Sequence, residues 1–247
     1  MDRLSPPPLT LACALVLTLA LAGCVSAPGP APEPITPRGG DAGGDAPLMP
    51  SAFFGGGGEA FTAWHCTPSQ NLVTTQLDEE LRLWSAHGAW RLTPAVVASG
   101  ARYQQGDISF WNKGDEAVVE SPSGRLECQA HMQRTALTRR NRPGVMFFAR
   151  GNEPGWAVSL ANDVAELDLT LDYGSRQQTL PYRVTTLDNG EGRMILASGR
   201  GDTPFELRIE GRACFDDMSG EPFPAQVTLS IEGEQYRGCG QGIPAAP

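Results

Sequence analysis

Short segments in which apolar and polar residues alternate fill the chain from about residue 59 onward. A period of two is typical of strands that are buried on one face, and the β-branched and aromatic content of the segments favours the same interpretation. Turn-forming stretches such as 112–115 and 122–124 separate them. In the first half of this region the predicted strands are 72–77, 81–84, 89–92, 108–111, 117–119 and 125–128.

The alternating pattern continues beyond residue 143, with a hairpin-type turn at 188–190. There the predicted strands are 145–149, 156–160, 167–171, 181–184, 194–197, 205–209 and 225–230. Closing an antiparallel run of strands into a barrel removes its exposed edges. We therefore expect an all-β protein with a small antiparallel β-barrel over residues 59–131 and a second β-rich domain over residues 143–247.

The N-terminus has the features of a segment that is removed during export. Residues 9–22 form an apolar run that is too short to span a membrane comfortably, and it ends in Leu21-Ala22-Gly23-Cys24. This ending resembles the lipobox of bacterial lipoproteins, which implies a signal peptide over residues 1–23 and a lipidated Cys24. An ordinary signal peptide with a nearby cysteine is the alternative. Because Val25 and not aspartate follows the cysteine, the resemblance implies an outer-membrane anchor with the protein facing the periplasm of a Gram-negative envelope.

Residues 24–58 are predicted to be a disordered linker. Prolines recur between residues 28 and 37, and glycines cluster at 39–44 and 55–58. A proline-rich stretch is semi-rigid and extended, glycine makes it flexible, and such a composition buries no core of its own. The expected role of this linker is to hold the folded part away from the membrane.

Four of the six cysteines remain after Cys13 and Cys24 are set aside. Four cysteines allow three pairings, and an exported chain meets an oxidising compartment in which disulfides form. Sequence order favours a Cys66–Cys128 and a Cys214–Cys239 disulfide. A metal site is the competing interpretation, but the CxxC spacing is missing and only three histidines are present, so neither a metal nor another cofactor is expected.

The net charge of −9 argues against a nucleic-acid partner, because phosphates attract a basic surface. It suits a basic protein partner, since opposite net charges speed encounter. Against this background, Lys113 is the only lysine in the chain. Lysine presents a compact charge on a flexible stem, whereas arginine presents a broad planar fork. A solvated lysine in a turn is the alternative to a functional one.

The surroundings of Lys113 resemble a known family. The relevant stretches are Trp64-His-Cys66, Ser99-Gly-Ala-Arg-Tyr103, Phe110-Trp-Asn-Lys-Gly-Asp-Glu-Ala117 and the closing Cys128. Together they resemble the MliC/PliC family of bacterial inhibitors of C-type lysozyme over residues 59–131. The resemblance implies an eight-stranded antiparallel barrel with a disulfide, and it implies that Ser99 and Lys113 lie on loops that enter the lysozyme cleft.

Other residues of these motifs are assigned with their alternatives. Gly100, Gly114 and Tyr103 are included in the predicted inhibitory site, the glycines mainly for backbone conformation. For Tyr103, as for Phe110 and Trp111, a core or loop-bracing role is the alternative. Acidic residues 115 and 116 are expected to meet a basic partner or to stay solvated. Arg102 is expected either to add positive charge near the site or to pair with Asp107.

Catalysis is not expected. Ser99 lies in no GxSxG elbow, and a nucleophilic serine needs a general base that the three scattered histidines do not supply. The function expected from the sequence is a lipid-anchored periplasmic inhibitor of C-type lysozyme. An envelope scaffold or cell-wall-binding lipoprotein without inhibitory activity is the alternative. The sequence leaves the oligomeric state open.

The rest of the chain is less informative. Arginines crowd residues 132–142, and this basic connector is expected to be a solvated linker, with contact to lipid or cell wall as the alternative. In the second domain, Gly151-Asn-Glu-Pro-Gly-Trp156 and Cys214-Phe-Asp-Asp-Met-Ser-Gly220 resemble motifs of a family of envelope lipoprotein domains, a resemblance that implies no activity. We expect Glu153, Asp216 and Asp217 to cap turns near a disulfide. Calcium binding or acid–base chemistry by these residues is the alternative.

Overall fold

The structure is a computed structural model that describes residues 48–57, 60–199 and 203–244. The predicted signal peptide, the lipidation site Cys24 and most of the predicted linker lie outside these residues. Within them the regular secondary structure is strands, as the alternating pattern predicts, apart from two short 3-10 helices at Ser51–Phe53 and Asp172–Gly174. In this part of the chain no helix is long and apolar enough to cross a membrane.

The first eight strands form a closed antiparallel barrel in which each strand pairs with the next and the last pairs with the first. They are β1 (Ala60–Thr67), β2 (Gln70–Gln76), β3 (Leu81–Ser85), β4 (Gly88–Ala95), β5 (Ala101–Gln105), β6 (Ile108–Lys113), β7 (Glu116–Ser121) and β8 (Gly124–Thr135). Alternate side chains fill the interior, among them Leu72, Leu83, Leu92 and Phe110. The predicted eight-stranded barrel is confirmed.

Residues 132–135 were expected to belong to a solvated connector, and this prediction is wrong. They form the end of β8, and Met132 and Arg134 pair with residues of β1. Only 8% of Arg134 is exposed to solvent. The abundance of arginine suggested solvent here, but a guanidinium group can also be buried when carbonyl oxygens and aromatic rings surround it.

The second half of the chain forms another closed antiparallel barrel of eight strands. They are β9 (Val145–Asn152), β10 (Gly155–Ala161), β11 (Glu166–Leu171), β12 (Arg176–Asp188), β13 (Arg193–Ser198), β14 (Phe205–Glu210), β17 (Ala225–Ile231) and β18 (Glu234–Gly242). A two-stranded sheet of β15 (Cys214–Phe215) and β16 (Pro222–Phe223) stands between β14 and β17. Strand β18 closes this barrel by pairing with β9.

Residues 51–54, which were predicted to belong to the linker, are instead packed between the two barrels. Phe53 is fully buried in the core of the second barrel, where its ring packs edge-on against Phe147 with centroids 5.8 Å apart. The backbone carbonyl of Ala52 accepts a hydrogen bond from the indole N–H of Trp84 in the first barrel at 2.7 Å. Burial of two aromatic side chains, Phe53 and Phe54, favours the packing of this stretch. The glycine-rich sequence around them led to the prediction of a linker.

A second set of contacts joins the barrels at the end of β8. The Arg134 guanidinium lies over the ring of Phe223, 3.8 Å from its centroid, and donates a hydrogen bond to the carbonyl of Pro222 at 2.8 Å. Burial lowers its pKa to about 10, so it remains charged at neutral pH. Nearby, the outward-facing Val73 and Trp84 pack with Phe61 and Ala213 in one buried cluster. The outer wall formed by β1, β2 and β3 is therefore covered by the second half of the chain.

Each barrel contains one disulfide bond. Cys66 and Cys128 are directly opposite each other on β1 and β8, with Cα atoms 4.0 Å apart. Cys214 and Cys239 join β15 to β18 with a Cα separation of 5.5 Å. These are the pairs that sequence order favours. The second disulfide holds the loop between β15 and β16 against the barrel wall.

Candidate protein-binding site

One end of the first barrel gathers the loops that the sequence motifs single out. Because successive hairpins of an antiparallel barrel turn at alternate ends, the loops 77–80, 96–100 and 114–115 all lie at the same end. We call this end the Lys113 rim. Ser99 and Gly100 belong to the second of these loops, and Lys113 is the last residue of β6 before the third. All three residues are exposed.

Trp111 connects the two motifs. Its indole N–H donates a hydrogen bond of 2.9 Å to the backbone carbonyl of Ser99. The Lys113 ammonium lies over the face of the same ring, 3.9 Å from its centroid. This contact is short enough for a favourable cation–π interaction. One half-exposed tryptophan thus fixes the serine loop and supports the lysine side chain.

Gly100 lets the serine loop approach β6 closely. Its φ of +73° is in the left-handed region, and a Cβ atom there would lie 2.9 Å from Cγ of Lys113 and closer still to the carbonyl of Asn112. Glycine adopts this conformation without a steric penalty and leaves room for the contact. Gly114 has a φ of +71° in the turn after Lys113 and faces open space, so it serves the turn only. Both glycines therefore contribute through backbone conformation.

The Lys113 ammonium is available to a partner. Among the described residues, no carboxylate lies within salt-bridge distance of it. Exposed acidic side chains at 115 and 116 flank it in the chain. The carbonyl of Asp115 accepts hydrogen bonds from Ala130 N and Gln129 Nε2, at 2.7 and 2.9 Å, which hold the turn against β8. The rim therefore presents a cation with nearby acidic side chains on a braced turn.

Tyr103 does not belong to the exposed surface. Only 5% of it is exposed, and it packs in the barrel core opposite Phe110 on the neighbouring strand. Burial raises the pKa of its hydroxyl above the ordinary value. The structure therefore places this predicted site residue in the core, because it alternates with Arg102 and Gln104 along β5 and points inward.

Arg102 forms an ion pair, but its partner is not Asp107. Pairing with Asp107 was one of the two roles expected from the sequence. Its guanidinium donates hydrogen bonds to Ser109 at 3.1 Å and to Glu120 at 3.2 Å. Glu120 lies two strands away on β7, directly opposite Ser109. The positive charge of Arg102 is thus partly neutralised, which leaves Lys113 as the cation that the rim presents.

Val96 is a residue of the Lys113 rim that motif reasoning missed. It follows β4 at the start of the serine loop, and its side chain is fully exposed. The signal that would have found it is a Val-Val pair at 96–97 that lies outside every alternating segment. An exposed valine beside a polar site offers apolar contact area to a protein partner.

Lys113 lies on a strand that is opposite the wall contacted by the second barrel. The strand order places β6 four strands from β2 in both directions, so these two strands lie on opposite sides. The wall around β2 is the one that the second half of the chain covers. Hence the second barrel does not cover β6 or its lysine.

The three histidines lie away from the serine loop. His87 is in the turn between β3 and β4 at the other end of the barrel. His65 and His131 stack on each other on neighbouring strands with ring centroids 4.2 Å apart. None of the three histidines is on β4, β5 or β6, the strands that carry or contact the serine loop. Among the described residues, no group of three or more histidine, cysteine or acidic side chains is arranged to hold a metal ion.

The two motifs of the second barrel bind each other. The side-chain amide of Asn152 donates to Asp216 at 3.0 Å and to Asp217 at 2.6 Å. Asp216 also accepts hydrogen bonds from the backbone N–H groups of Met218 and Ser219 and from the Ser219 hydroxyl. Burial raises the pKa of the Asp216 carboxyl, but these hydrogen bonds outweigh burial and hold it below the ordinary value. The predicted turn-capping role of Asp216 is confirmed.

The comparison with protein families agrees with the resemblance read from the motifs. No curated protein matches the chain. The match to a family model covers residues 64–127, which extend from the interior Trp64 of β1 into β8 and include Ser99 and Lys113. That family is one of inhibitors and not of enzymes, and its membrane-bound description is consistent with an envelope location. Residues 64–127 of the first barrel match MliC, the membrane-bound lysozyme-inhibitor of c-type lysozyme.

Proposed function

We propose that this protein inhibits C-type lysozyme by placing the Lys113 rim in the active-site cleft of the enzyme, with Ser99 and Lys113 as the residues that enter it. The family match supports an inhibitory role toward c-type lysozyme in general. The observation that carries the finer proposal is the contact of Trp111 with both the Ser99 carbonyl and the Lys113 ammonium.

The chemistry of the cleft suits these side chains. A retaining glycosidase holds two carboxyl groups about 5–5.5 Å apart, one of them ionised and the other able to donate a proton. An ammonium placed between them gains a charge-assisted hydrogen bond, and a serine hydroxyl can both donate and accept. The exposed Val96 on the same loop adds apolar contact at the edge of the cleft.

The test is the inhibition of a purified C-type lysozyme by the full-length chain, measured as lysis of bacterial cell walls. Removing one partner of a buried charged hydrogen bond costs about 2–5 kcal/mol. We therefore expect Lys113→Ala to weaken inhibition roughly 30-fold or more. Ser99→Ala removes a neutral hydroxyl and should weaken inhibition less, by about 1 kcal/mol.

Arg125→Ala is the matched control. Arg125 is an exposed cation at the opposite end of the same barrel, where it pairs with Glu120 and Glu127. It should inhibit as well as the unchanged protein. Equal potency of Lys113→Ala and the unchanged protein would exclude the cleft model even if binding persisted. Absence of inhibition by the folded, unchanged protein would favour the envelope scaffold or cell-wall-binding role.

The proposal includes a lipid anchor on Cys24 and an outer-membrane location facing the periplasm. The sequence Leu21-Ala22-Gly23-Cys24, with Val25 after it, supports this part. Labelling with a radioactive fatty acid such as palmitate should mark the protein expressed in a Gram-negative host, and Cys24→Ser should abolish the label. A labelled Cys24→Ser variant would place the lipid elsewhere.

A further inference from the structure

The second barrel holds an exposed tyrosine and an exposed methionine in the two segments that bond Asn152. Tyr173 is 73% exposed to solvent and Met218 is 74% exposed. Both flank Asn152: the Tyr173 hydroxyl donates to the Asn152 carbonyl at 2.9 Å, while the Asn152 amide donates to Asp217, the neighbour of Met218. We call Glu153, Tyr173, Asp217 and Met218 the Tyr173 surface.

The backbone beneath this surface is strained. Asp172 and Tyr173 have φ values of +51° and +57°, a conformation that costs free energy in residues other than glycine. In this conformation the Tyr173 ring lies flat against Gly155, where a Cβ atom would be 2.5 Å from the ring carbon Cδ1. The strained backbone places Tyr173 mostly in solvent and not in the core. Strain of this kind is common at functional sites.

The frame that holds the surface is rigid. Asp216 accepts four hydrogen bonds around the loop that ends in Gly220, and Arg150 pairs with both Asp216 and Glu221. The Cys214–Cys239 disulfide fixes the start of the same loop to β18. Met218 is therefore presented by a structured loop, so the loop backbone loses little conformational entropy when a partner binds.

The charge around the surface is negative. Glu153 and Asp217 are themselves exposed. Two nearby arginines, Arg150 and Arg176, are each paired with two carboxylates of this barrel, whereas the exposed Arg237 on β18 bonds the amide oxygen of Gln235. Nucleic acid and anionic lipid are disfavoured by this charge, whereas a basic protein surface is attracted.

We propose that the Tyr173 surface is a docking site for a protein segment that carries arginine or lysine side chains around an apolar residue. Tyrosine and methionine are enriched in protein interfaces, and central aromatic contacts ringed by complementary charge are typical of the residues that dominate binding energy. The two motifs of the second barrel then have a common purpose: their buried residues build the frame and their exposed residues form the contact.

The test uses the full-length chain labelled with nitrogen-15 and three short synthetic peptides, in which arginine alternates with leucine, arginine with serine, or glutamate with leucine. We expect the arginine–leucine peptide to shift the amide signals of Asn152, Tyr173 and Met218. The arginine–serine peptide should bind about tenfold more weakly, and the glutamate–leucine peptide should cause no shifts. Shifts spread over all acidic regions, or equal binding of both arginine peptides, would overturn the proposal.

Variants make the test specific. Met218→Ser should weaken binding of the arginine–leucine peptide about tenfold, which is the usual effect of removing one central contact. Leu187→Ser is the control, because this exposed leucine lies at the far end of β12 from the strained turn. It should leave binding unchanged. An unchanged Kd in Met218→Ser, with the thermal stability of the parent, would also overturn the proposal.

Discussion

Trp111 holds together two parts of the candidate site that come from different loops. Its N–H group binds the Ser99 carbonyl and its ring supports the Lys113 ammonium. Because these are two separable interactions on one side chain, substitution can remove them one at a time. The residue therefore gives a way to ask whether the rim has to be ordered before it meets a partner.

Trp111→Phe keeps a ring under Lys113 but removes the hydrogen bond to Ser99. A hydrogen bond of this kind contributes about 0.5–1.5 kcal/mol, so we expect inhibition to weaken several-fold. Trp111→Leu also removes the cation–π contact, worth about 0.5–1 kcal/mol at an exposed site, and should weaken inhibition further. The measurement is the inhibition constant together with amide hydrogen exchange at residues 98–100, which should become faster in both variants. Unchanged exchange in Trp111→Phe would mean that the hydrogen bond does not order the loop.

Motif reasoning predicted the positions of Ser99 and Lys113 but not the side chains that hold them. It included Tyr103 in the site because the tyrosine belongs to the same motif, whereas strand alternation points it into the core. Motif reasoning suggested Asp107 as a partner of Arg102 because the two are close in sequence. The observed partner, Glu120, is brought near only by the pairing of β6 and β7. Contacts between strands depend on register, which the sequence pattern does not give.

At the scale of elements, most strands with clear alternation were predicted, whereas β1, β5 and β18 were missed, the last two because their sequences are polar or glycine-rich. β5 has two glutamines and an arginine among its five residues, and β18 contains three glycines before it ends. Both are required to complete a barrel, since β18 pairs with β9 and β5 joins β4 to β6. Closure of the barrel supplies the hydrogen bonds that these sequences would not secure by local preference.

The loop between β15 and β16 provides a prediction about pH. Hydrogen bonds hold the pKa of Asp216 below its ordinary value, so the ionised carboxylate stabilises the folded state. That stabilisation is fully present above the unfolded-state pKa of about 3.9 and is lost as pH falls through the lower folded-state pKa. Asp216→Asn should lose about 1–3 kcal/mol at pH 7, which lowers Tm by about 2–4 °C per kcal/mol.

The measurement for this loop is Tm of the two proteins between pH 7 and pH 2. The difference between Asp216→Asn and the unchanged protein should shrink as pH falls below about 4, because the carboxyl of the unfolded chain becomes protonated there and the folded carboxyl follows at lower pH. Asp217→Asn is the control, because Asp217 is exposed and its side chain bonds only Asn152 among the described residues. Its Tm should stay close to that of the unchanged protein. A difference for Asp216→Asn that is constant from pH 7 to pH 2 would assign the loss to packing and not to charge.

The whole molecule departs from the arrangement of two independent domains on a linker. Phe53 inserts into the second barrel while the neighbouring Ala52 carbonyl accepts a hydrogen bond from Trp84 of the first. Arg134 reaches from β8 to Phe223 and Pro222. The alternating pattern does not mark these residues as an interface, because the contacts form only after both barrels close.

The family-matched barrel should consequently depend on the rest of the chain. A fragment of residues 59–140 would expose Phe61, Val73 and Trp84, which are 0%, 0% and 1% exposed in the full chain. Burying one such side chain contributes about 1.5–3 kcal/mol, so we expect the fragment to melt at a lower temperature and to self-associate. The full chain should unfold in a single calorimetric transition, since each barrel completes the other's surface. Two separate transitions, together with a monomeric fragment that melts at one of them, would show that the barrels fold independently.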